Sequence, residues 1–257
     1  MTTLQAECPE YQEEANMRRH NGWVLSGIVV PLLLAGLLSV GCNSSDDATG
    51  PGGGGGGGNT VNLGAAANYG VLAGQSVSNS GATMINADLG IWPGGTLTGA
   101  PTVSGSTQLA NATSQSAQGA LTAAYNDAAG RAAGSTIAGD LGGMTLAPGV
   151  RKSTSTLEIT SADLTLDAGG NSNAVFIFQI ASSFTVAVGR SVILSGGAQP
   201  SNIFWQVGSS ATLNSNSNVS GTILALTTVT LGTGATLNGR AMARNGSVTL
   251  LSNTITP

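Results

Sequence analysis

Four short stretches decide the fold: Ser183-Phe-Thr-Val-Ala187, Ser210-Ala-Thr-Leu-Asn214, Thr228-Val-Thr-Leu-Gly232 and Ser247-Val-Thr-Leu-Leu251. Their central threonines, Thr185, Thr212, Thr230 and Thr249, lie 27, 18 and 19 residues apart. A second apolar strand precedes each: Phe176–Ile180, Ile203–Val207, Thr222–Ala225 and Arg240–Ala243. A third follows the first three, at Val192–Leu194, Asn218–Ser220 and Ala235–Leu237. Three short strands recurring in one order predict an all-β solenoid of triangular section, each turn of chain stacking on its neighbour. An earlier rung fits the same register, with Thr156–Thr160 in the threonine place, Leu164–Leu166 after it and Gly149–Lys152 before it. A β-sandwich with evenly spaced strands is the alternative, but it gives no reason for one strand order to recur with Thr always at the same place.

Side chains alternate between the two sides of a strand. Phe184/Val186, Ala211/Leu213, Val229/Leu231 and Val248/Leu250 are apolar and face inward. Ser183, Thr185, Ser210, Thr212, Asn214, Thr228, Thr230, Ser247 and Thr249 therefore face outward, with Thr156 in the earlier rung. Stacked at about 4.8 Å, with alternate residues about 6.7 Å apart, they make a lattice of hydroxyls and methyls. Thr is stiff at χ1, so such a lattice loses little entropy when something ordered binds it. Thr is also simply favoured in exposed strands. Against that plain reading stands the scarcity of Lys and Glu, which normally keep an exposed surface soluble. Glu158 falls in the threonine column and marks an edge.

Outside the repeats, Thr107–Ala133 is Ala-rich and free of Pro, with Leu109, Ala112, Ala117, Leu121, Ala124, Tyr125 and Ala128 at three- and four-residue steps. That spacing and composition predict one long helix over about 107–133, with small residues for close packing on a flat neighbour and Gly134 to end it. Further upstream, residues 23–40 are the only long apolar run, preceded by Arg18 and Arg19 and ending in Leu38-Ser39-Val40-Gly41-Cys42. This resembles a bacterial lipoprotein signal, although Ser39 stands where such signals more usually carry Leu. The resemblance implies acylation of Cys42, export, and anchoring to a lipid bilayer at the cell surface or outer membrane, or release from it. An uncleaved membrane anchor is the alternative, because 18 apolar residues approach the length needed to span. Met17 is a plausible initiator, given four Glu in residues 1–16. Residues 43–59 read as a Gly-rich flexible tether, leaving 1–42 as extension and signal and 60–257 as the folded domain.

Composition narrows the function. Of 257 residues only 8% are charged, the net charge is −4, and the sole histidine is His20. A nearly neutral surface gives nucleic acid nothing to hold. With His20 and Cys8 upstream of the signal cleavage, the mature chain has no Ser-His or Cys-His pair, no His-ligated metal and no disulfide. Neither an enzyme nor a cofactor is expected, and the chain is expected to be a monomer.

Seven ordered motifs carry a resemblance: Asn62-Leu-Gly-Ala-Ala-Ala-Asn-Tyr-Gly-Val-Leu-Ala73, Ile85-Asn-Ala-Asp-Leu-Gly90, Ala124-Tyr-Asn-Asp-Ala-Ala-Gly-Arg131, Gly139-Asp-Leu-Gly-Gly-Met-Thr-Leu-Ala-Pro-Gly-Val150, Ala174-Val-Phe-Ile-Phe-Gln179, Asn202-Ile-Phe-Trp-Gln-Val207 and Leu237-Asn-Gly-Arg240. Together they resemble the microbial ice-binding protein family of the DUF3494 type, over essentially all of 60–257. The resemblance implies a discontinuous right-handed β-solenoid with a long helix alongside. N-terminal segments would complete rungs beside C-terminal ones, and a flat face would adsorb to an ice crystal surface. Two other classes stay open. A carbohydrate-binding adhesin would favour exposed aromatics, whereas Phe176, Phe178, Phe184, Phe204 and Trp205 mostly read as core; Trp92 is in a loop. A polysaccharide lyase would need Asp163, Asp167, Glu158, Arg151 and Lys152 gathered on one face, and these read better as solvated edges. Asp88 and Asp140, each before Leu-Gly, read as turn or capping residues. Where strands around Val71, Val77 and Leu89 insert, and whether Ser76, Ser78 or Thr83 extend the face, the sequence leaves open.

Overall fold

The structure is a computed structural model that describes residues 60–257. The extension, signal segment, Cys42 and tether lie outside the described residues. Every rung follows one path through three faces. Phe176–Ile180, Phe184–Val186 and Val192–Ser195 make one rung, and Ile203–Val207, Ala211–Leu213 and the start of Asn218–Ala225 make the next. All strand pairs among the described residues are parallel, and the register carries from rung to rung, for example Phe184↔Ala211↔Val229↔Val248, with a shift between Tyr69 and Val71 where Tyr69–Ala73 meets Asp88–Ile91.

Rung order differs from chain order. Tyr69–Ala73 pairs with Thr236–Ala243 on one side and with Asp88–Ile91 on the other, so the N-terminal rungs cap the C-terminal one. Thr107–Leu109 closes that end of the stack, pairing with Asp88–Ile91. The chain reappears at the far end as Ser135–Thr136, paired with Gly149–Ser153. Between them the helix Ala112–Gly130 returns the chain along the solenoid. The helix is thus shorter than the expected 107–133. Thr107–Leu109 is taken as an edge strand, and Asn111 starts the helix by accepting the Ser114 N–H while Ser114 Oγ accepts the Asn111 N–H, a reciprocal cap. A further rung, Ser135–Thr136, Gly139–Asp140 and Thr145–Leu146, lies beyond the one read as earliest.

Two apolar layers hold the fold. Inside the solenoid, Trp205 stacks against Phe178 at 4.2 Å and Phe184 at 4.5 Å, and its Nε1 donates to Ser220 O at 3.0 Å. Between helix and sheet, Ala117, Leu121, Ala124 and Ala128 pack against Leu72, Ile177, Phe204, Leu224 and Met242. Phe204 therefore points out of its strand toward the helix, and Trp205 points in. The short helix side chains let the backbones approach. Gln118 Nε2 donates to the carbonyls of Ala243 and Arg244, and Gln179 Nε2 to those of Ala128 and Arg131, tying helix to sheet.

Candidate functional site

The helix covers one face and leaves an eight-stranded face open. Its strand order is Thr96–Thr98, Ser76–Ser80, Val248–Leu251, Val229–Leu231, Ala211–Leu213, Phe184–Val186, Leu157–Ile159 and Gly139–Asp140. In the strands from Val248–Leu251 to Leu157–Ile159 every second residue is fully buried, as in Phe184, Val186, Ala211, Leu213, Val229 and Leu231. Parity then fixes the outward set. Thr98, Ser78, Thr249, Thr230, Thr212, Thr185, Glu158 and Asp140 form one straight central column, each partnered with the next in register.

Beside it runs a second column. Thr96 pairs with Ser76, and Ser247, Thr228, Ser210, Ser183 and Thr156 each immediately precede a paired buried residue. Its hydroxyls bond rung to rung: Ser76 Oγ to Ser247 Oγ, and Thr228 Oγ1 to Ser210 Oγ, both at 2.8 Å. Thr227 Oγ1 joins Ser210 at the same distance. The central threonine hydroxyls make no side-chain hydrogen bond among the described residues and point to solvent. Asn214, in the third column, donates its amide to Val186 O at 2.9 Å and so holds the edge of the face.

All ten residues singled out from the sequence thus lie on this face. Four others were missed or left undecided: Ser76, Ser78, Thr96 and Thr98. Ser76-Val-Ser78 and Thr96-Leu-Thr98 carry the same polar–apolar–polar triplet, which was the available signal. Thr83 is not on the face. It is 2% exposed, and its Oγ1 accepts the Asn253 N–H at 3.1 Å.

Charge is absent from the six strands between Thr96 and Val186, and enters only at Glu158 and Asp140. Asp140 accepts the N–H groups of Gly142, Thr160 and Ser161 at 2.8–2.9 Å. A hydrogen bond from the Ser161 side chain, then those from Gly142 and Thr160, holds its carboxyl well below the usual range. Asp88 plays the matching role elsewhere, accepting the Ser106 N–H at 2.6 Å. The residues weighed for a lyase are not brought together. Glu158 is on the threonine face, and Asp163 and Asp167 flank or end the third-face strand Leu164–Asp167. Arg151 and Lys152 belong to the helix-face strand Gly149–Ser153. Asp163 instead accepts the Ser191 N–H, with Arg190 at 3.9 Å. The core aromatics are buried and offer no stacking surface for a sugar.

A face of this kind presents short, stiff side chains on a two-dimensional repeat. The family model described as ice-binding-like matches residues 71–256. The chain belongs to the ice-binding-like family. It is 42% identical over 197 residues to an ice-binding protein of Nostoc sp. (strain HG1), covering 75% of this chain and 72% of that protein. An ice-binding protein of Flavobacterium frigoris (strain PS1) is 36% identical over 213 residues, 76% of each chain. The crystal structure of an ice binding protein from an Antarctic biological consortium superposes with a TM-score of 0.76 at 48% identity, covering 77% of this chain and 91% of that one. One from the ascomycete Antarctomyces psychrotrophicus gives 0.74 at 37% identity, covering 77% and 98%. The ice-binding-like family and its solenoid fold are therefore those that the seven motifs indicated.

Proposed function

We propose that this protein is an ice-binding antifreeze protein that adsorbs to crystals through its threonine face. The observation that carries this reading is the straight, uncharged central column running from Thr98 to Thr185. Methyls exclude disordered water and hydroxyls anchor an ordered layer, at spacings the sheet itself fixes. Once adsorbed, molecules force ice to grow between them as curved fronts, which depresses local freezing and suppresses recrystallisation. No bond is made or broken. Ice growth in purified residues 60–257 tests it: a gap between melting and freezing with faceted crystals is expected, and round crystals without a gap at high concentration overturn the reading. Thr212→Tyr and Thr230→Tyr should each abolish most of the gap while leaving the melting temperature of the protein unchanged, because both side chains leave the face rather than enter the core.

The reading extends to display on the cell. The chain enters the domain on the helix-covered side, where Val61 and Leu63 are buried and Thr60 O accepts from Arg131 Nη2 at 3.2 Å. Anchored through Cys42, the domain would hold the cell to ice or shield its envelope. Radiolabelled palmitate is expected to enter the protein and to be lost with Cys42→Ser; no label in the unsubstituted protein would favour an uncleaved anchor.

A further inference from the structure

Of the buried glutamines between helix and sheet, Gln118 and Gln179 tie the two layers together and Gln206 ties nothing. Gln118 Nε2 donates to the carbonyls of Ala243 and Arg244, and Gln179 Nε2 to those of Ala128 and Arg131. Gln206 is 6% exposed, yet its amide makes no hydrogen bond among the described residues. In register with it on one side runs an apolar column, Leu224, Met242 and Leu72, packed against the helix. On the other side stand Gln179 and Lys152. A leucine at this position would continue the apolar column, whereas a buried amide needs a bonding partner to be stable there.

Gln206 lines a half-open hollow of about 240 Å³, together with Tyr125, Ala129, Lys152, Gln179 and Gly208. At about 30 Å³ per water molecule it has room for several, or for one small organic solute. Unmet hydrogen-bonding groups converge on it. Gln206 offers a donor and an acceptor, Gln179 keeps its Oε1 as an acceptor, and the Lys152 ammonium has no carboxylate among the lining residues. The Tyr125 hydroxyl reaches only Val207 O at 3.5 Å, longer than an ordinary hydrogen bond. Tyr125 and Ala129 belong to the last two turns of the helix, whose C-terminal end carries partial negative charge and offsets the ammonium. The hollow as a whole therefore selects neither anion nor cation. A primary amide, with donor and acceptor side by side, matches two neighbouring hydroxyls of one molecule.

We propose that this hollow binds a small, uncharged, hydroxyl-rich solute of monosaccharide size, a polyol or a free sugar, with Gln206 on adjacent hydroxyls and Lys152 and Gln179 beside them. The site lies on the helix-covered face and stands whether or not the threonine face binds ice. Saturation-transfer NMR on the purified protein tests it, with sorbitol and glucose as neutral probes and lactate as a hydroxylated anion. Transfer to a neutral probe is expected, its dissociation constant raised about tenfold by Gln206→Leu and severalfold by Lys152→Met. Gln206→Leu should melt no lower than the unsubstituted protein, because it extends the apolar column, and should leave ice growth unchanged. Gln206→Glu, which Lys152 can neutralise in place, should close the site in the same way and serves if the leucine variant fails to fold. No transfer to either neutral probe, the result for a hollow that holds water alone, overturns the proposal. Transfer that the Gln206 variants leave intact overturns it too, by placing the ligand elsewhere. Tighter binding of lactate than of both neutral probes would make the hollow an anion site and overturn the ligand class.

Discussion

Asp140 shows how one residue can be structural where its neighbours in the same column face solvent. It shares a column with five threonines, yet its carboxylate turns onto three backbone N–H groups and closes the terminal rung. Burial opposes ionisation, but the hydrogen bonds dominate and the carboxyl stays ionised well below its ordinary range. A carboxylate held more acidic in the folded state than its unfolded value of about 3.9 stabilises fully above that value and loses the contribution as pH falls below it. Melting temperatures measured from neutral pH down into acid should therefore show Asp140→Asn destabilised at neutrality, with the difference from the unsubstituted protein shrinking as acid is added. A constant difference at every pH would mean that the ionised form contributes nothing. The capping role of this residue was legible from Asp-Leu-Gly alone, because a short acceptor before a turn has few other uses. The partners were not, since Thr160 and Ser161 belong to the next rung.

At the scale of the element, the corner between the third face and the helix face is turned without a loop. Asn218–Ala225 and Thr236–Ala243 each run continuously round it, bending at Gly221 and Gly239, with φ of 111° and 153°. A Cβ on Gly221 would lie 2.6 Å from Ile203 Cγ2 and 2.8 Å from Ile203 O, the latter unable to yield because it is backbone. Gly221→Ala is expected to cost about 1–3 kcal/mol from overpacking alone, a fall of roughly 2–4 °C in melting temperature for each kcal/mol in a chain of this size. Melting unchanged within error would mean that the rung can slide to make room. The threonine-face triplets were readable because buried and half-exposed residues alternate in each, from Phe184–Val186 to Val248–Leu251. Thr107–Leu109 was not, since an Ala-rich neighbourhood favours helix locally and only pairing with Asp88–Ile91 makes it strand. Ser76–Ser80 and Thr96–Thr98 were hidden for a related reason. They repeat each other 20 residues apart, but two copies make a weak period, and Ser76–Ser80 stacks on Val248–Leu251 at the other end of the chain.

On the scale of the whole molecule, charge is kept off the lattice: Asp88, Arg240 and Arg244 share its rungs but lie on the helix side, Arg240 bonded to Ala67 O and Arg244 over the Tyr125 ring. Asp140, Glu158, Asp163, Asp167, Lys152 and Arg190 gather toward the rungs where the helix ends, while six strands of the threonine face carry none. Water in a crystal offers no charge to pair with, and an exposed ion must keep its own hydration shell, so a face of hydroxyls and methyls meets ice at less cost than a charged one. Interactions among exposed charges are screened over about 8 Å at physiological ionic strength and over about 30 Å at 0.01 M. Adsorption through the threonine face should be indifferent to that change. The gap between melting and freezing, measured at about 0.01 M and about 0.15 M sodium chloride with the colligative shift common to both points removed, is expected to stay the same. A gap that collapses with added salt would place the contact at the charged end, where Glu158 and Asp140 stand in the threonine column, and would move the search for the adsorbing surface to those last rungs.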